Sequence, residues 1–139
     1  MANDLEAGGD VTWAATCGLT EELGRFIAQL AAAELTAGRV ESAREILEGL
    51  VVSNPYDAAP WAMLALVHRR RGNLVAARVC AEVAKRTAPV DEQVRLVRAE
   101  ILLGAPEGRS AGKEELSALA AGEGEVASRA RTLLSVIAA

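Results

Sequence analysis

An all-α fold of stacked helical hairpins is what this sequence predicts, and three observations predict it. The first is self-similarity at thirty-four residues: Gly38 recurs as Gly72, Ala43 as Ala77, Arg44 as Arg78, Pro55 as Pro89, and Leu30-Ala31 as Leu64-Ala65. A period of that length, punctuated by glycine and proline, belongs to helix–turn–helix arrays. The second is apolar spacing at i, i+3, i+4 and i+7, clearest in Ala43, Ile46, Leu47 and Leu50. The third is composition: 51% of the chain is hydrophobic but only 3% aromatic, so Ala, Leu and Val must build the core. Small side chains let helices approach closely, as stacked hairpins require.

The elements follow in order. Residues 1–9 read as a flexible lead closed by Gly8-Gly9, and residues 10–139 as a single domain. Asp10 is placed to N-cap a short helix through Thr16, stopped at Gly18. Thr20 precedes Glu21 and Glu22, a capping hydroxyl followed by two acids where the helix dipole favours negative charge. That helix runs to about Thr36 and ends at Gly38; its partner opens near Val40 and breaks at Asn54-Pro55. The next hairpin runs from about Ala58 to Arg70, turns at Gly72-Asn73, and continues to about Thr87 before Pro89. A third, degenerate hairpin has Val94, Val97, Ile101 and Leu102 on one face, a long turn through Gly104–Gly108, and a second helix over 111–121. The repeats thus span about 24–57, 58–91 and 92–122, and a terminal helix over 125–138 caps the array.

At 139 residues the chain is long enough to bury roughly two-thirds of its unfolded surface. A net charge of −4 gives no general attraction to nucleic acid or anionic membrane. No apolar run is long enough to span a bilayer, and the acidic start from Met1 to Glu6 is unlike a signal peptide. Cys17 and Cys80 form no motif, so reduced thiols in a cytoplasmic protein are expected. A lone histidine, His68, offers no metal pair and no constellation for catalysis; a packed imidazole facing its partner helix is the plain reading. No enzyme activity, cofactor or metal is expected. The run Arg69-Arg70-Arg71 has two roles open to it: offsetting a helix C-terminus, or placing Arg69 on an inner wall beside an acidic flank of a bound peptide.

The second copy reads Trp61-x2-Leu64-Ala65-x2-His68, then Ala77-x3-Ala81, then Pro89. It resembles the tetratricopeptide repeat (TPR) pattern, with Ala for Gly, His for Tyr and Ala for Phe. The resemblance implies a solenoid whose first helices line a concave face. Its usual groove positions fall on Ala28, Ala32 and Leu35 in the first repeat, Ala62, Leu66 and Arg69 in the second, and Leu96, Glu100 and Leu103 in the third. Alanine and leucine there disfavour a clamp for a C-terminal carboxylate and suit an apolar segment, although the alanines also serve tight packing.

A narrower resemblance rests on Gly9-Asp10-Val11-Thr12, Gly18-Leu19-Thr20-x-Glu22, Ala37-Gly38-Arg39-x3-Ala43, the run Leu50–Ala58, and Ala99-Glu100-x2-Leu103. In that order and spacing they resemble the class II type III secretion (translocator) chaperones. The resemblance implies a cytoplasmic, non-catalytic chaperone that keeps a translocator-like client with hydrophobic segments soluble before export. It also implies a possible homodimer through the N-terminal helix, with Trp13 either in that interface or stapled onto the first repeat. A TPR adaptor joining folded proteins in a permanent complex is the alternative.

Overall fold

A computed structural model describes residues 12–138. The expected lead over 1–9 and the Asp10 cap lie outside the described residues. The first helix, α1 (Trp13–Thr16), is capped instead by Thr12, whose hydroxyl accepts from the Ala15 amide at 3.0 Å. Three hairpins follow. The first pairs α2 (Glu21–Thr36) with α3 (Val40–Ser53), the second α4 (Ala58–Arg70) with α5 (Leu74–Thr87), and the third α6 (Glu92–Leu102) with α7 (Arg109–Ala120). A last helix, α8 (Glu125–Ala138), closes the array, and no strand occurs among the described residues.

Local chemistry sets each boundary. Thr20, Asp57, Asn73 and Asp91 are N-caps whose side-chain oxygens accept amide hydrogens of the first turn. Gly38 and Gly72 sit at φ +84° and +78°, where a Cβ would be strained. Each follows a helix whose end is tied by the same six-to-one bond, Arg39 N to the Glu34 carbonyl and Asn73 N to the His68 carbonyl, both 2.9 Å. The thirty-four-residue period is therefore also a period of the backbone hydrogen bonds.

The third hairpin departs from that period. Residues 103–108 join its helices, against 37–39 and 71–73 in the others. A 3-10 turn over Pro106–Gly108 runs straight into α7, which therefore starts two residues before the expected position 111. The buried set Ala77, Ala81 and Ala84 recurs as Gly112, Leu116 and Leu119, thirty-five residues on. One extra residue is absorbed in the turn. Gly108 makes this possible, since a Cβ there would stand 2.6 Å from the Leu102 carbonyl oxygen.

The core has two lobes that meet on α6. Leu47, Ala31, Ala43, Leu64, Ala65, Val67 and Ala77 belong to the first, with Val94, Val97 and Ile101. Leu96 and Ala99 turn to the second, with Leu116, Leu119 and Ala130. Each fully buried leucine, Leu47 and Leu116, contributes about 1.5–3 kcal/mol by leaving water. The alanines contribute by letting neighbouring helices close in.

Candidate functional site

The first helices of the hairpins form one layer: α2 touches α4, α4 touches α6, and α6 touches α8. This layer carries the residues expected to line a groove. Ala28, Leu35 and Leu66 are half-buried against the first core lobe, and Ala32 is half-buried beside them. Leu103 is half-buried against the second lobe. Ala62 and Leu96 lie deeper, at 5% and 4% exposure, so their side chains belong to the packed core beneath this surface. Arg69 and Glu100 come together as an ion pair of 3.2 Å between α4 and α6.

The arginine run splits three ways. Arg69 goes to Glu100, Arg70 donates to the Leu35 carbonyl at 2.6 Å, and Arg71 pairs with Glu41 of α3 at 2.8 Å. Arg69 and Arg70 stand in the last turn of their own helix, as one reading had it, and Arg70 also offsets the C-terminus of α2. His68 is half-buried, and its charged surroundings, Glu41, Arg44 and Glu48, come from α3 rather than from its partner helix. Burial first, then the Arg71 cation, push its pKa below the usual histidine value. The Arg71 Nη1 stands 3.4 Å from the imidazole Nδ1 and needs a lone pair there, which suits a neutral ring.

Burial drives the Cys80 thiol up to about 11, which leaves it protonated and inert, while Cys17 is exposed. Among the described residues no cluster of His, Cys, Asp or Glu fits a metal ion. A cavity of about 450 Å³ opens between α1, the start of α2 and the 54–57 connection, lined by Thr12, Leu19, Arg25, Tyr56 and Pro60 among others. No helix among the described residues is long and apolar enough to cross a membrane.

Two features escaped the sequence reading. Arg129 of α8 reaches Glu100 at 3.6 Å, so one carboxylate stands between two guanidiniums. The other is an exposed apolar ridge on α2, formed by Leu23, Phe26 and Leu30. Its counterparts one repeat later include Pro60 and Leu64, both buried against the first hairpin. The signal was available in the i, i+3, i+7 spacing of Leu23, Phe26 and Leu30. Trp13, at 69% exposure, is not stapled onto the hairpin.

Residues 25–67 match the family model of the tetratricopeptide repeat. The chain has a TPR-like fold of helical hairpins. Over most of the chain the fold is similar to the type III secretion translocator chaperone SycD of Yersinia enterocolitica, with a TM-score of 0.76 and 18% identity over 91% of this chain and 98% of that one. A type III secretion complex from Aeromonas hydrophila gives a TM-score of 0.78 and 23% identity over 98% and 94%. PcrH in complex with the chaperone binding region of PopD gives 0.70 and 23% over 87% and 95%; PcrH is from Pseudomonas aeruginosa. No curated protein matches the sequence.

Proposed function

We propose that this TPR-like protein is a cytoplasmic chaperone that holds an apolar segment of a secretion translocator-like client in the groove lined by α2, α4 and α6. The observation that carries the reading is the chemistry of that wall. Ala28, Ala32, Leu35, Leu66 and Leu103 offer partly accessible apolar surface with small residues between large ones. Leucine-sized side chains fit such a wall, each worth about 1.5–3 kcal/mol on burial. The ordered sequence motifs and the shared fold with translocator chaperones, one of them holding a client region, support the same reading. A client segment held there is withheld from aggregation and from premature membrane contact.

The test is affinity purification of the tagged protein from its own cells, beside an Ala32→Glu variant. A stoichiometric secreted partner with hydrophobic helices is expected, lost with the variant although its helical signal is unchanged, because a charge is set into an apolar wall. A folded enzyme or envelope component at equal stoichiometry, retained by Ala32→Glu, overturns the chaperone reading in favour of an adaptor. The exposed ridge Leu23, Phe26 and Leu30 is the surface such an adaptor would use.

A further inference from the structure

Glu100 sits on α6 one turn before Leu103 of the candidate wall and one turn after the core residue Leu96. Its carboxylate is only 13% exposed and is met by two cations, Arg69 Nη1 of α4 at 3.2 Å and Arg129 Nε of α8 at 3.6 Å. One negative charge faces two positive ones, so the spot carries an excess cation within a chain of net charge −4. The arginines remain 40% and 56% exposed and touch Glu100 through single, long contacts. Arg39, by contrast, closes on Glu34 with two bonds of 2.6 and 2.7 Å. A guanidinium has five N–H donors, so most of those on Arg69 and Arg129 are not used by Glu100. Leu66 lies one turn before Arg69, which puts apolar wall and cation edge side by side.

We infer that Arg69 and Arg129, held apart by Glu100, read a carboxylate on the bound segment, so that the client carries an aspartate or glutamate next to its apolar anchor. The inference rests on the groove reading above and adds the charge of the ligand to it. Glu100 acts as a spacer: it keeps two guanidiniums at one place without neutralising both. Charge-assisted contacts of this kind are short-ranged at physiological salt, so the net charge of the chain does not decide them.

The test uses random peptides displayed on phage, selected on the immobilised protein. The wild type is expected to select leucine-type anchors with Asp or Glu enriched about fivefold at one fixed spacing, in line with a single partly exposed ion pair. An Arg69→Gln, Arg129→Gln double variant should keep the apolar anchors and lose the acidic enrichment. Apolar anchors without acidic enrichment, or an enrichment unchanged in the double variant, overturn the inference and leave the groove reading standing. If no peptides are selected at all, the groove reading falls and this inference with it.

Discussion

Arg70 donates a 2.6 Å hydrogen bond to the carbonyl oxygen of Leu35, thirty-five residues earlier in the chain. Leu35 belongs to the last turn of α2, whose carbonyls lack helical partners, and the same oxygen also accepts from the Gly38 amide at 3.1 Å. A cation from the second hairpin thus finishes the helix of the first. The bond couples neighbouring repeats by a polar contact where the alanine-rich core couples them by shape.

Removing that cap has a calculable effect. Arg70→Ala should lower the unfolding free energy by about 1–2 kcal/mol, the worth of a hydrogen bond with one charged partner discounted for its exposed position. The urea midpoint measures it. Arg69→Ala, which loses only a long, partly exposed ion pair, should shift the midpoint by less.

The third hairpin depends on a glycine. In Gly108→Ala the new methyl would press on the Leu102 carbonyl at 2.6 Å, and backbone rather than a flexible side chain must give way. A loss of about 1–3 kcal/mol is expected. Hydrogen exchange should show faster opening of α7 and α8 and little change in α2 to α4. Uniform loss of protection would count against this assignment.

His68 sets a pH dependence near neutrality. Its folded pKa lies below the ordinary 6.5, so the unfolded chain binds the proton more tightly. Stability is therefore full above about pH 6.5 and declines as the pH falls through the unfolded value. His68→Gln should flatten the decline between about pH 7 and pH 5, followed by thermal melts across that range. Glu34 acts in the same direction further into acid, because the hydrogen bonds from Arg39 hold its pKa at about 2 against an ordinary 4.5.

The exposed ridge on α2 has the apolar chemistry that a self-association surface needs. A homodimer through Leu23, Phe26 and Leu30, with Trp13 nearby in sequence, is expected to dissociate in Phe26→Glu, since the new charge lies in the middle of the ridge. Mass by light scattering reads the outcome. An unchanged mass in the variant removes this ridge from the interface.

Most of the architecture was legible in the sequence because it is written locally. Thr20, Gly38, Asn54-Pro55 and Gly72 are boundary signals that act within a few residues of themselves. What was not legible depends on how helices rotate against one another. Arg129 falls outside the repeat pattern, so nothing in the spacing brings it to Glu100. His68 occupies a tyrosine position of the repeat, yet apart from Arg71 the charges that act on it, Glu41, Arg44 and Glu48, lie on the preceding hairpin. Ala62 and Leu96 lie one helical turn before Leu66 and Glu100 on the same face, yet they are buried at 5% and 4% exposure, a difference in depth that spacing alone does not encode.

The two ends of the solenoid are chemically unlike. The α2 end shows Leu23, Phe26 and Leu30, whereas α8 exposes Ser128, Arg131, Thr132 and Ser135, with Val136 as its exposed large hydrophobic. Growth of an array by stacking needs a sticky surface at both ends, each complementary to the other. Among the described residues the α2 end offers the larger apolar patch, so covering that end removes more apolar surface from water than covering α8 does.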